Sequence, residues 1–199
     1  MTLPSSYVSL QDIMQSAQRI APVVRKTPLV FSEALSERAG FEIWLKLENL
    51  QTTGSFKLRG ASNRILQLSS EEKARVVVCS LCPENKRQAM RDLGAEVIVL
   101  GDTQDEAQAH ADQLIETRGY TWADPYDDLH VIAGQGTIAL ETLSKRPDTD
   151  MIVAPLSGGG LLSGIALAAK SVSPAISVVG ASMEVEPGMA RAVYNAAAA

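Results

Sequence analysis

The first chemical signal in the sequence is Thr52-Thr53-Gly54-Ser55-Phe56-Lys57-Leu58-Arg59-Gly60. It follows an apolar-alternating run, Ile43 to Glu48, and opens a helical pattern from Phe56 to Leu68. A lysine therefore stands at a strand-to-helix turn, behind a glycine that permits a tight bend. The start of a helix is locally positive and favours an uncharged amine, the form that makes a Schiff base. On its own the same lysine is equally an ordinary solvated residue on a first helical turn. A second signal lies in Met151 to Leu156, which reads as a buried strand. Ser157-Gly158-Gly159-Gly160 follows it, and then a helix from Leu161 to Lys170. Strand, glycine run and helix start together make an anion cradle, because bare amides converge where the helix dipole points. Many such turns merely pack tightly. No Gly-Lys-Ser/Thr follows these glycines, and they lack the G-x-G-x-x-G spacing with its downstream acidic residue, so two nucleotide-binding loops are excluded.

An amine at one helix start and a phosphate cradle at another suit a single aldehyde-bearing, phosphorylated cofactor, which describes pyridoxal 5'-phosphate. The sequence also resembles the tryptophan-synthase-β-like (fold type II) pyridoxal-phosphate enzymes, in their threonine/serine dehydratase branch. Gly54 to Gly60 resembles the cofactor-lysine motif. Thr27-Pro28-Leu29, Val131-Ile132-Ala133-Gly134-Gln135-Gly136-Thr137 and Ser157-Gly158-Gly159-Gly160-Leu161 match the same branch in the same order, and the likeness runs from about Leu10 to Asn195.

The resemblance implies that Lys57 is both the Schiff-base lysine and the base that takes the Cα proton. It implies that Ser157, Gly158, Gly159, Gly160 and Leu161 bind the phosphate, and that Phe56 packs the lysine helix near the cofactor. The implied reaction is that of an ammonia-lyase, turning a β-hydroxy amino acid such as L-threonine or L-serine into a 2-oxo acid and ammonia. Racemisation or another β-elimination on the same scaffold, or a non-catalytic remnant of the family, stays open. A homo-oligomer, dimer or tetramer, is also implied.

The elements that must position these residues alternate strand and helix. Ser9 is a candidate cap for a helix marked by Leu10, Ile13, Ala17, Ile20 and Val24. Residues 32–39 read as a second helix stopped by Gly40, and 42–47 as a strand. Ser69 with Glu72, and Thr103 with Glu106, read as capping boxes. Strands are expected at 76–78, 96–100, 120–122, 151–156 and 176–181. Helices are expected from Pro83 to Gly94, Thr103 to Arg118, over 131–145 and from Pro187. Gly134 and Gly136 inside a helix cost about 1 kcal/mol each against alanine, which points to close packing there. Arg59 reads as structural, holding neighbouring loops. The fold expected is α/β, open parallel sheets with helices on both faces. A large cofactor domain takes residues 1–70 and 140–199, and a smaller, mobile, incomplete domain takes 71–139.

That domain is incomplete because the family's Ser/Thr-x-Gly-Asn-His loop, which holds the cofactor ring, has no counterpart in the sequence. The break falls near Arg75 to Ser80, where a strand, a loop and a helix of roughly twenty-odd residues are missing. The partner of the pyridine nitrogen, far towards the C-terminus in the family, is also missing. The sequence is therefore expected to join segments of a longer protein, its four last alanines standing for unassigned residues; an engineered minimal fragment or a pseudo-enzyme is the alternative.

Metal ligation is not assigned. Related serine racemases and dehydratases place a carboxylate after this strand end, whereas Val179-Gly180-Ala181 leads into Ser182, with Glu184 and Glu186 off that position. The run Gly180 to Glu184 resembles the dehydratases of ectoine-utilisation operons. Cys79 and Cys82 are spaced as a redox pair would be, but read as structural, as do His110 and His130, which lie in unrelated segments. The 199 residues carry a net charge of −5, which argues against nucleic acid or an anionic membrane as partner. No apolar run approaches about eighteen residues and no signal peptide is legible, so a cytoplasmic protein is expected.

Overall fold

The computed structural model describes residues 7–68, 74–92, 94–118, 123–184 and 188–197. Helix α1 spans Leu10–Ile20. Its start is a capping box: the Asp12 amide donates to Ser9 Oγ, and the Asp12 carboxylate accepts from the Ser9 amide at 2.8 Å. Strands β1 (Leu29–Phe31) and β2 (Trp44–Lys46) pair antiparallel around helix α2 (Glu33–Ala39). Gly40, at φ 79°, ends α2 as its position suggests. An antiparallel pair is a departure from the all-parallel expectation; alternation marks β2 as a strand, but strands of three residues carry no sign of their pairing direction.

The other sheets are parallel. Helix α3 covers Lys57–Ile65. Strand β3 (Arg75–Val78) pairs with β4 (Glu96–Val99) across helix α4 (Glu84–Asp92). Helix α5 (Gln104–Arg118) opens with the expected Thr103–Glu106 box, the Glu106 amide donating to Thr103 Oγ1 at 3.2 Å. Helix α6 (Leu129–Lys145) begins two residues before the expected start, because the Asp128 carboxylate accepts from the amides of His130 and Val131. Strands β5 (Met151–Pro155) and β6 (Ser177–Ala181) pair across helix α7 (Gly160–Val172), and α8 covers Gly188–Ala197. The Ser69–Glu72 box, the strand at 120–122 and the helix start at Pro187 lie outside the described residues.

Helix α6 is the axis of the core. It packs against α1, α3 and α7, with Ile13, Ala133, Ile138, Ala139, Ile165 and Ala168 buried together. Its glycines make this possible. A Cβ at Gly134 would stand 2.7 Å from the Arg59 carbonyl oxygen of α3. At Gly136 it would stand 2.8 Å from the carbonyl oxygen of Gly164 in α7. The close packing expected of both glycines is present. Gly164 faces the same seam, where a Cβ would come 2.3 Å from the Ile132 carbonyl oxygen. Replacing Gly164 by alanine is therefore expected to destabilise. The gain of about 1 kcal/mol in helix propensity is outweighed by forcing two backbones apart, typically about 1–3 kcal/mol and more where no side chain can yield. A urea midpoint equal to or above that of the parent protein would contradict this packing.

Strand β5 is less covered than its apolar sequence suggests. Ile152, Ala154 and Val178 face the α6–α7 layer, whereas Val153 is 62% exposed and Val179 42%. A parallel sheet is closed only when a layer lies on each face. Among the described residues, β5 and β6 have one such layer.

Candidate active site

The lysine turn is built as its sequence suggests. Gly54 takes φ 74° and donates its amide to the Gln51 carbonyl at 2.8 Å, which bends the chain sharply into α3. Phe56 caps the helix and packs on the core cluster of α1, α6 and α7. Lys57 is the first helical residue and its side chain is exposed. Arg59, two residues on, points the other way and is wholly buried, at 0% exposure.

Arg59 ties the surrounding elements together. It grips Glu48 with Nε and Nη2, both at 2.8 Å, and Glu141 of α6 with Nη1 at 2.8 Å and Nη2 at 3.0 Å. Nη1 also donates to Thr137 Oγ1 at 3.1 Å. Thr27 donates to Glu48, and Lys46 donates to Glu141 and to the Thr27 carbonyl. Burial opposes the Arg59 charge, but the two carboxylates outweigh it and hold the guanidinium above its ordinary range. Burial likewise pushes Glu141 up, yet bonds from Arg59 and Lys46 win and leave its carboxyl below the usual range. Lys46 goes the other way, lowered by burial that its bond to Glu141 only partly offsets. The network is a framework: it fixes the Lys57 turn against α6.

The glycine loop forms the second half. Gly159 caps α7 at φ 94°, Gly160 is its buried first residue, Ser157 is exposed, and Leu161 packs on the core. The residue joining the two halves is Tyr126. Lys57 Nζ lies 4.9 Å from its ring centroid. A Cβ at Gly158 would come 2.3 Å from Tyr126 Cγ, and one at Gly160 would come 2.6 Å from the Tyr126 carbonyl oxygen. Lysine and glycine loop therefore abut one residue. Sequence reasoning missed Tyr126; its only mark is a place in the Asp124-Pro125 turn, where the Asp124 carboxylate accepts from the Tyr126 and Asp127 amides at 2.7 and 2.9 Å.

Other candidates lie elsewhere. Cys79 is buried and Cys82 half-buried, both free, at the turn leading to α4. Among the described residues, no cluster of three or more His, Cys, Asp or Glu side chains could hold a metal ion, and no helix is long and apolar enough to cross a membrane.

The family model described as "Pyridoxal-phosphate dependent enzyme" matches residues 20–82 and 73–198. The chain belongs to this family. Within it, the chain is 40% identical over 208 residues to an L-threonine ammonia-lyase of Thermotoga maritima, covering 92% of this chain and 52% of that protein. It is 38% identical over 214 residues to a catabolic L-threonine dehydratase of Escherichia coli K12, covering 94% and 65%. Among solved structures, the processed form of threonine deaminase isoform 2 from Solanum lycopersicum superposes with a TM-score of 0.83 at 33% identity, over 94% of this chain and 58% of that one. Serine racemase of Dictyostelium discoideum gives 0.82 at 35%, over 95% and 70%. The chain thus spans about half to two-thirds of the length of the curated relatives it matches.

The match also has an internal discontinuity. The two matched stretches overlap at residues 73–82, so β3 and the turn after it align twice with the family pattern. The alignment with the T. maritima enzyme runs over 208 residues, yet 92% of 199 is about 183, leaving about 25 positions without a counterpart. The overlap includes Arg75 to Ser80, the stretch where the sequence reading expects a break.

The pyridoxal-phosphate enzyme family implies its cofactor, and the residues present fit two ends of it. An exposed primary amine, Lys57, and a glycine loop at a helix N-terminus meet at one place, the Tyr126 ring.

Proposed function

We propose that this protein is a pyridoxal-phosphate-dependent deaminating dehydratase, converting a β-hydroxy amino acid such as L-threonine or L-serine to a 2-oxo acid and ammonia. The observation that carries this reading is the meeting of the Lys57 amine and the Ser157–Gly160 loop at Tyr126. The threonine ammonia-lyase and dehydratase names of the relatives support the choice of substrate class. In this reading Lys57 holds the cofactor's aldehyde carbon. Gly158, Gly159, Gly160 and Leu161 offer backbone amides to the phosphate at the start of α7, and Ser157 adds its hydroxyl. Phe56 anchors the lysine turn to the core. Bound cofactor supplies the electron sink for a carbanion at the substrate Cα. Once the substrate's amine displaces it from the aldehyde carbon, the freed Lys57 Nζ takes the Cα proton; the β-hydroxyl, receiving a proton, leaves as water, and water returns to the carbon that releases ammonia. The framework of Arg59, Glu48 and Glu141 holds Lys57 at the loop while this happens.

The proposed organisation is a large cofactor unit over residues 1–70 and 140–199 and a smaller one over 71–139; α6 runs across that boundary and packs on α1, α3 and α7. A cytoplasmic homo-oligomer, dimer or tetramer, completes the reading. The test is direct. Protein incubated with pyridoxal phosphate is given L-threonine, and 2-oxobutyrate is measured with a coupled dehydrogenase. Appearance of 2-oxobutyrate with equimolar ammonia is expected; D-allothreonine without a 2-oxo acid would replace the lyase reading by epimerisation at Cα.

A further inference from the structure

Tyr126 has no part in the reaction just described, yet it fills the middle of the site. Its ring lies face-on to Gly158, with a Cβ there meeting Cγ, Cδ1 and Cδ2 at 2.3, 2.4 and 2.7 Å. Its backbone covers Gly160, where the same construction meets the carbonyl oxygen and Cα at 2.6 and 3.0 Å. Lys57 Nζ sits 4.9 Å from the ring centroid, within the range of a cation–π contact. From another direction Met189 of α8 lies against Gly159, with its Cε 3.2 Å from a Cβ placed there. The glycine loop is thus occupied by two side chains of this chain.

We propose that Tyr126 is the resident occupant of the cofactor seat, a ring that withdraws when a phosphorylated aromatic aldehyde enters. The inference rests on the cofactor reading above and deepens it. An aromatic aldehyde bound to Lys57 with its phosphate on the glycine loop must pass through the space between them, and Tyr126 is in that space. The ring is also free to leave. It is 41% exposed, and what fixes residue 126 is the Asp124 turn, which holds the backbone and not the side chain. Moving the ring breaks the Lys57 contact and the packing on Gly158, a cost set against every binding event.

Removing the ring removes that cost. Tyr126→Ala is expected to bind pyridoxal phosphate about tenfold more tightly than the parent protein, the factor that about 1.4 kcal/mol of lost contact represents. Tyr126→Phe keeps the ring and is expected to stay within about twofold of the parent. Affinity is read from the visible absorbance of the bound aldehyde, on protein whose circular dichroism matches the parent. A measurement without substitution accompanies it: nitration of Tyr126 by tetranitromethane, followed by peptide mass, is expected to accelerate when pyridoxal phosphate is bound. Equal or weaker binding by Tyr126→Ala, or protection of Tyr126 from nitration, would overturn the displacement and make the ring a support. If parent and Tyr126→Ala both fail to take up pyridoxal phosphate, the cofactor reading falls and this inference with it. If the parent binds and the variant binds no tighter, only the inference on Tyr126 falls.

Discussion

Replacing Arg59 by methionine is expected to cost about 3–5 kcal/mol of folding stability, a large part of the roughly 5–15 kcal/mol that a domain has in reserve. The loss does not come from the ion pairs as such, since a buried pair often does little better than an apolar substitute. It comes from what remains. Glu48 and Glu141 are held by one guanidinium, and their side chains are only 13% and 16% exposed. Without Arg59, two nearly buried carboxylates face each other, and Lys46 bonds only Glu141. Lysine at position 59 is not expected to rescue the fold, because a point charge cannot grip both carboxylates through a planar fork. Urea unfolding followed by circular dichroism would measure the effect. A Met variant within about 1 kcal/mol of the parent would show that the framework is ornamental. Acid gives a second reading. The Glu141 carboxyl is held below its unfolded range, against the cost of burial. Its contribution is therefore complete above the unfolded carboxylate pKa and is lost as pH falls through the lower, folded one. The parent should lose stability as pH falls below the ordinary carboxylate range, and the Arg59 variant should lose less there.

The same residue shows what could be read from the chain alone. Three of the four stretches that mark the family meet at Arg59: Thr27 through Glu48, the lysine motif through Arg59 itself, and Thr137 directly. Their residue types were legible, and so was the structural reading of Arg59, but not the partners. Glu141 stands 82 positions away in sequence, and no local pattern carries a contact of that span. Local devices were the most legible. Gly40 at the end of α2, the box at Thr103 and the bend at Gly54 each depend on a few consecutive residues. The Asp128 cap was equally local and was overlooked because the apolar motif beginning at Val131 drew the helix start to itself. The exposure of Val153 was not legible. An apolar strand shows that a sheet wants two layers, not that both are present. Tyr126 was least legible, since one aromatic in a turn has no periodicity, and only its contact with Gly158 and Lys57 gives it meaning. Residues 73–82 fall in both stretches matched to the family, and β3 pairs in parallel with β4.

Lys57→Ala is expected to remove every trace of covalently held cofactor while leaving the fold nearly as stable as before. Borohydride treatment of parent protein with pyridoxal phosphate should fix one phosphopyridoxyl group, and peptide mass should place it on Lys57. The variant should show none, and no 2-oxo acid should form from L-threonine. Stability should change by no more than about 1 kcal/mol, because the Lys57 side chain is exposed and what it gives up is its contact with the part-exposed Tyr126 ring. Lys46 is the rival to exclude. It is an amine on an adjoining strand, but its side chain is only 11% exposed and is spent on Glu141 and the Thr27 carbonyl. A fixed group on Lys46, or one that persists in Lys57→Ala, would sink the assignment. The two substitutions on α3 thus make opposite demands of one helical turn. Residue 59 faces inward and carries the fold with no chemistry. Residue 57 faces the glycine loop and, in the proposed reading, carries the chemistry with no part in the fold. If Arg59→Met loses stability while Lys57→Ala loses only the covalent group, the turn is a reactive amine mounted on a buried guanidinium. If both substitutions lose stability together, Lys57 belongs to the framework as well.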